Sequence, residues 1–555
     1  MPGDISSSEG ARWTRVIERT RVTPSQPAAV KLRGKHIALF VHDGEVLACN
    51  NRCPHEGYPL VEGALDANCV LTCHWHNWKF DLRSGATLYG GDNLRVYPVK
   101  VEAGDVYVDL WEPPAAARIE KALADLGHAI GEFDTARIAR ELARLGKAGA
   151  GPEGALARAI EATHDRLEDG MTHAYAAADA WLALADSFAT SATRSPGFVA
   201  NDAKRLTCAT EALVYIAYDT LRAPKHPYSD GTAPFSAASF AAAVEAQDED
   251  AAITLVNGAL AGGLHYDDLE AALVRATLAH YNDFGHSLIY VTHVRQLVAR
   301  LGAAVEAPLL KAWARSLVSA TREDLLPDFR AYGDALAAWP AGASVTGPVS
   351  RSAPAAADFE GRSVREALNA AVMAGGQPPL DLYFALMEAA ARHLLRFDER
   401  LGDATTNGVA DNVGWLDFTH ALTFGHALRE QCARYPEFWP QGLLQLAMFV
   451  GRNKSCLDPD LTAIGALRRW GVDDEHAFHA HAADRIVDHG LGLPIFPAHL
   501  LKTWTAVRAE VAAGVPPDVR STLLAAANRL LAARFKERHP LRTAHQALAF
   551  VAKED

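Results

Sequence analysis

The chain has 555 residues, 49% of them hydrophobic and 22% charged, with a formal net charge of -13. This excludes a disordered chain and disfavours non-specific nucleic-acid binding. Seven cysteines make no disulfide framework, no run nears the ~18 apolar residues of a membrane span, and MPGDISSSEGARW lacks a secretory signal's basic and apolar regions, so a soluble cytoplasmic protein is expected.

Up to Trp111-Glu-Pro-Pro114 the sequence reads as short strands and turns. Lys35–His42, Glu45–Cys49 and Val106–Leu110 are short, apolar and β-rich. His42-Asp-Gly44 and Ala103-Gly-Asp105 supply turn chemistry. After Pro114 alanine becomes abundant and apolar residues recur every three or four positions, predicting helices over 153–170, 174–188, 269–281 and 517–538. The stretch 339–358, rich in Pro, Gly and Ser, predicts a surface connection dividing this region into two halves. The expected architecture is multidomain: a small all-β domain over residues 1–113, then a large all-α, bundle-like, His-rich domain over 114–555. One echo, His280-YNDFGH-His286-SL against His420-ALTFGH-His426-AL, raises a duplicated bundle half as an alternative to coincidence.

The most specific motif lies in the β region. Cys53-Pro-His55 is followed by Cys73-His-Trp-His76, a C-x-H loop and a C-x2-H loop. Each offers one thiolate and one imidazole, so two such loops can pinch a pair of irons, cysteines on one and histidines on the other. Replacing two thiolates by neutral imidazoles removes two negative charges from the donor set and raises the reduction potential. Zinc sites favour C-x2-C and H-x3-5-H instead.

On these residues the segment from about Trp13 to Leu110 resembles a Rieske [2Fe-2S] domain. Gly57, Trp78-Lys-Phe80-Asp81, Gly85, Leu94, Tyr97 and Val99 follow the same pattern. The resemblance implies a cluster on Cys53, His55, Cys73 and His76 that moves single electrons. Neither loop carries the extra cysteine of respiratory-type domains, and no serine follows His76. The ferredoxin or oxygenase type, of low to moderate potential, is therefore implied. His74 is expected to be a loop residue, Cys49 a buried small hydrophobe, and Cys69 no ligand.

Such a cluster makes no bonds, which raises the question of what in the helical region receives the electron. The oxygenase resemblance implies iron held by two histidines and a carboxylate. Its D-x2-H-x4-H core is absent in full; the nearest segments are Asp283–His286 with His293, and Asp417–His420 with His426. The region holds 18 of the 23 histidines. Acid-x-x-His puts two ligands on one helix face. Glu161–His164, Asp283–His286 and Asp417–His420 are of this form, and chance alone gives about three such pairs. The last two lie in apolar segments, where an ionisable group is costly unless paired or metal-bound. Asp–His hydrogen bonding meets that need as well as a metal does. The pairs 280/286 and 420/426 face one centre only if their Phe-Gly step bends the helix. The candidate ligands of a second, mono- or dinuclear non-haem iron site are Glu161, His164, His286, His293, His420 and His426. Asp283, Asp417 and Glu211 are candidate catalytic groups, and His489 and His499 have a lesser claim.

The expected function is an oxidoreductase whose Rieske cluster feeds single electrons to this iron for O2-dependent oxidation of a small organic substrate. No GxGxxG, P-loop or flavin fingerprint is present, so an external ferredoxin or flavin reductase is the expected donor. Analogy with Rieske oxygenases implies a homo-oligomer. The alternatives are an electron-transfer or reductase fusion and a redox-sensing scaffold without oxygenase activity.

Overall fold

The computed structural model describes residues 12–189, 202–340, 353–409 and 412–553. They form two compact units, one of residues 1–129 with 134–144, the other of 130–133 with 145–555.

The first unit is built on three antiparallel sheets. Strands β1 (Trp13–Glu18), β2 (Ala28–Leu32), β3 (Lys35–His42) and β4 (Glu45–Asn50) are followed by β5 (Ala64–Leu65), β6 (Val70–Thr72), β7 (Lys79–Asp81), β8 (Thr87–Tyr89), β9 (Val96–Tyr97), β10 (Val99–Glu102) and β11 (Asp105–Asp109). The sheets run β1-β11-β10, β2-β3-β4-β9 and β5-β6-β7-β8. Three hairpins close through two residues with positive φ: Arg33-Gly34, Asp43-Gly44 and Ala103-Gly104. These turns match the right-handed twist of the strands they join. Strand β3 is buried on both faces. Ile37, Leu39 and Val41 enter one core with Val106 and Val108. Ala38 and Phe40 enter the other, with Leu71, Phe80 and both motif cysteines. Helices follow from Ala115, and the first two, Ala115–Gly131 and Thr135–Lys147, lie mostly in this unit. Asp92 explains part of that: it is 1% exposed, and its carboxylate accepts from Arg140 Nε at 3.0 Å and Arg144 Nη1 at 2.6 Å.

The second unit is helical throughout its regular structure. Four of its helices concern the site: α1 (His173–Ser187), α2 (His286–Leu301), α3 (Leu416–Arg434) and α4 (Ile495–Ala512). They pack in a ring, α1 on α2, α2 on α3, α3 on α4 and α4 on α1. Alanine permits the close approach: Ala174, Ala176, Ala177, Ala178 and Ala180 of α1 are all buried. Each large buried side chain between the helices adds about 1.5–3 kcal/mol. Among the described residues no helix is long and apolar enough to cross a membrane.

Where regular structure ends, local chemistry decides. The predicted helix over 153–170 stops at Thr163 and turns through His164–Arg166. The connection 339–358 lies largely outside the described residues. The echoed Phe-Gly steps differ. Gly285 has φ +76° and breaks the chain before α2, whereas Gly425 sits inside the continuous α3 against Met387. The echo therefore marks no equivalent backbone.

Candidate metal centres

The two motif loops of the first unit share one backbone design. Cys53 N–H donates to Tyr58 O at 2.9 Å, and Gly57 N–H to Cys53 O at 2.8 Å. Cys73 N–H donates to Trp78 O at 2.8 Å, and Asn77 N–H to Cys73 O at 3.0 Å. Each loop turns at a left-handed residue four positions after its cysteine, Gly57 at φ +78° and Asn77 at φ +58°. The result points both cysteines inward, at 4% and 1% exposure, and leaves both histidines at the surface. The two thiols lie side by side, and burial pushes Cys53 up to about 11. The Nδ1 atoms of His55 and His76 are 3.1 Å apart, a spacing bridged by one ion at about 2 Å from each. Yet among the described residues no group of donors within 4.8 Å joins these cysteines to these histidines. One tetrahedral ion cannot take all four. A two-iron cluster, sulfur ligands on one iron and nitrogen ligands on the other, fits. The His55 ring is stacked on Trp78 at 4.7 Å, which fixes its orientation.

In the second unit four histidines, one from each of α1 to α4, turn their Nε2 atoms toward one another. His286 Nε2 is 3.2 Å from His173 Nε2 and 2.9 Å from His420 Nε2. His499 Nε2 is 3.2 Å from His173 Nε2 and 3.4 Å from His420 Nε2. The opposite nitrogens are held from behind. His420 Nδ1 lies 2.7 Å from Leu416 O and His499 Nδ1 lies 2.8 Å from Ile495 O. A carbonyl only accepts, so each Nδ1 carries the proton and each Nε2 offers a lone pair. His286 Nδ1 lies 3.4 Å from the Asp283 carboxylate, and His173 Nδ1 lies 3.0 Å from Tyr290 Oη. Lone pairs facing across 3.4 Å repel unless a cation lies between them. Burial, joined by neighbouring imidazoles and by Lys502, holds His173, His420 and His499 well below the usual histidine range. These three imidazoles are thus neutral and ready to bind a metal without first losing protons. Four imidazole nitrogens with partners behind them are the donor set of a transition-metal site.

The backbone beside the ring is strained where it places His286. Asp283, Phe284 and Gly285 all have positive φ, at 41°, 55° and 76°. The turn is held by Asp283 N–H on Thr321 O at 2.9 Å and Phe284 N–H on Glu323 Oε2 at 2.8 Å. Phe284 lies edge-on to His420 at 4.6 Å, under the Arg452 guanidinium at 3.8 Å.

Beyond the ring the same four helices line a cavity of about 70 Å³. Asp179 follows His173 by six positions, His293 follows His286 by seven, His426 follows His420 by six, and Lys502 follows His499 by three. Every helix therefore passes from ring to cavity in its own N-to-C direction, and all four run the same way along one axis.

Comparison with known proteins bears on the first unit. The sequence profile of the Rieske [2Fe-2S] domain matches residues 12–98. The 3-phenylpropionate/cinnamic acid dioxygenase ferredoxin subunit of Photorhabdus laumondii subsp. laumondii is 40% identical over 78 residues, 14% of this chain and 74% of that protein. The chain belongs to the Rieske [2Fe-2S] family. The same-named subunit of Escherichia coli (strain K12) is 41% identical over 78 residues, again 14% of this chain and 74% of that protein. The ferredoxin of carbazole 1,9a-dioxygenase from Nocardioides aromaticivorans IC177 is 27% identical, with a TM-score of 0.17, covering 18% of this chain and 96% of that one. The Rieske profile leaves residues 99–555 outside its match.

The residues expected to serve the Rieske cluster, Cys53, His55, Cys73 and His76, come together. His74 is an exposed loop residue, and Cys49 is fully buried on β4, in the same core as the motif cysteines. Of the candidates in the helical unit, the structure brings His286, His420 and the lesser candidate His499 into the ring, with Asp283 behind His286. His293 and His426 lie on the cavity wall instead. His426 Nδ1 is 2.9 Å from Glu510 Oε1, whose other oxygen accepts from Arg429 at 2.7 Å. His164 sits at the end of helix Glu153–Thr163, its Nδ1 3.0 Å from Glu161 O, and Glu161 is exposed. Asp417 turns back to accept from Gly414 N–H at 2.7 Å, and burial pushes its carboxyl up. Glu211 lies 3.4 Å from His489 Nε2. No carboxylate joins the ring: among the described residues its close group is His173, His286 and His420. His173 is the ring residue that sequence reasoning missed, and His499 was given only a lesser claim. His499 had a usable signal, a histidine amid Pro497, Ala498, Leu500 and Leu501, all buried.

Proposed function

We propose that the chain is a cytoplasmic oxidoreductase that carries single electrons from its Rieske domain to a non-haem iron on His173, His286, His420 and His499. There it oxidises a small organic substrate with dioxygen. The observation that carries this reading is the convergence of four buried Nε2 atoms, each imidazole held from behind. The domain partition is part of the proposal: residues 1–113 as the electron carrier, 114–555 as the catalytic region, with an external ferredoxin or flavin reductase as donor. The relatives' names, ferredoxin subunits of dioxygenases, support the redox half.

A cluster on Cys53, His55, Cys73 and His76 supplies one-electron transfer, and iron on the four histidines supplies a place where dioxygen binds and is reduced. The chain's own residues do the rest. Leu416 O and Ile495 O fix the tautomers of His420 and His499. The Asp283 carboxylate makes His286 a stronger donor. A donor set without formal charge favours the lower oxidation state of its ion, the direction an electron acceptor needs. Phe284 and Phe449, stacked edge to face at 5.6 Å, help keep bulk water from the His420 side.

The test is iron and sulfide quantitation on anaerobically purified protein. Iron above two per chain is expected. His420→Ala should lose the excess and keep the cluster's EPR signal, and Cys73→Ala should do the reverse. Two irons per chain, unchanged in His420→Ala, would overturn the proposal in favour of an electron-transfer or sensing role.

A further inference from the structure

The cavity beyond the ring holds one buried amine that forms no ion pair among the described residues. Lys502 is 5% exposed and lines it. Among the described residues no carboxylate lies within ion-pair distance of Lys502. The charged and titratable groups on the other three helices are already engaged or neutral. Asp179 of α1 accepts from Arg300 Nε at 2.8 Å. His426 of α3 faces Glu510, which Arg429 also neutralises. His293 of α2 is held uncharged by burial, and its Nδ1 has no partner. A fully buried amine without a counter-ion is costly. Burial pushes Lys502 down to about 7, because it disfavours the charged form; an anion bound beside the amine would restore the ammonium.

The remaining polar groups of the wall narrow the ligand. Thr505 Oγ1 donates to Leu501 O at 2.8 Å, and Thr292 Oγ1 to Leu288 O at 3.1 Å. Thr423 Oγ1 donates to Thr419 O at 3.2 Å. Their protons are spent on helix carbonyls, and Thr292 Oγ1 also accepts from Gln431 Nε2 at 3.1 Å, so the lone pairs left toward the cavity are those of Thr505 and Thr423. One cation with several acceptors around it suits an anion that bears its own O–H. A single compensating charge matches a monoanion, and about 70 Å³ limits it to a few heavy atoms.

We propose that this cavity binds a small monoanionic carboxylate carrying a hydroxyl group, its carboxylate on the Lys502 ammonium and its hydroxyl on the threonine oxygens. The ligand lies one turn along the axis from the four-histidine ring. This deepens the proposed function by naming the substrate class of that centre, and it rests on that reading only for the ligand's fate, not for its binding. Two sources share the chemistry: an organic 2-hydroxy acid, as substrate, and bicarbonate, as a free anion.

The experiment uses the full chain after chelation, so that it does not depend on the ring metal. Thermal midpoints are followed against sodium glycolate, bicarbonate, acetate and chloride at equal ionic strength. Glycolate or bicarbonate is expected to raise the midpoint saturably, acetate less, and chloride not at all. Preference for glycolate assigns the organic source, preference for bicarbonate the free anion. In Lys502→Met the apparent Kd should weaken at least tenfold. Ala506→Val, which fills the cavity and keeps the lysine, should do the same and guards against a misfolded Lys502→Met. Equal responses to all four salts, or responses unchanged in both variants, would overturn the proposal. Loss of ring iron in His420→Ala is read separately, so either conclusion can fail while the other stands.

Discussion

Gly285→Ala tests whether the strained turn before α2 places His286. At φ +76° an added Cβ would lie 2.7 Å from Phe424 Cδ2 and 2.8 Å from Phe449 Cζ. The left-handed conformation costs an L-residue about 1–2 kcal/mol. Forcing a methyl against two rings adds about 1–3 kcal/mol. The expected loss is therefore about 2–5 kcal/mol. Gly302, at the other end of the same helix, has φ +84° and nothing within 4 Å of its added Cβ. Gly302→Ala should cost only the conformational part, about 1–3 kcal/mol for a backbone at φ +84°, ψ -174° that glycine alone adopts readily. Urea unfolding followed by far-UV circular dichroism measures both, alongside iron content. Gly285→Ala should also lose iron in excess of the cluster, because His286 is the next residue, while Gly302→Ala retains it. Equal losses in the two variants, with full iron in both, would refute the reasoning about the Phe424 and Phe449 contacts.

His426→Ala should keep the ring iron and cost about 1–3 kcal/mol, because Glu510 loses one of two partners; metal analysis and unfolding check both. Asp219, which accepts from Thr172 Oγ1 at 2.6 Å beside the start of α1, is pushed up by burial to about 6. The folded state thus holds its proton more tightly than the unfolded state. Its contribution is present below pH ~4 and is lost as pH rises through ~6, roughly 2–3 kcal/mol in all. Asp219→Asn should remove that slope from a plot of unfolding free energy against pH. In the Rieske-bearing unit, replacing Arg140 and Arg144 together by alanine strands the buried Asp92 and should cost about 3 kcal/mol, read by chemical unfolding.

The β domain was legible because its information is local. The Cys–x–His loops, the Asp43-Gly44 and Ala103-Gly104 turns and the strands β3 and β11 each declare themselves within a few residues. The helical class was legible from periodicity. The ring was not, since its ligands come from four separate helices and share no spacing. His286 and His420 stood out only through the acids three positions before them, and the two acids behave differently. Asp283 stands behind a ring histidine, while Asp417 satisfies a backbone N–H at the start of α3. His173 follows the helix-capping Thr172, a place that reads as a helix start rather than a ligand. The pair His280 and His286 could face one centre only through a bend at the Phe-Gly step. The bend exists, but it sends His280 to Asp324 at 2.8 Å and His286 to the ring.

Because all four ring helices point the same way, no short loop joins neighbours, and 326 residues separate His173 from His499. Synthesis at about 5–20 residues per second leaves roughly 15–65 s between the appearance of the first donor and the last. During that interval the emerging polypeptide offers an incomplete set of imidazoles, with poor grip on any passing ion. A metal taken up by the ring would thus enter the finished protein, after the slowest, most non-local contacts have formed.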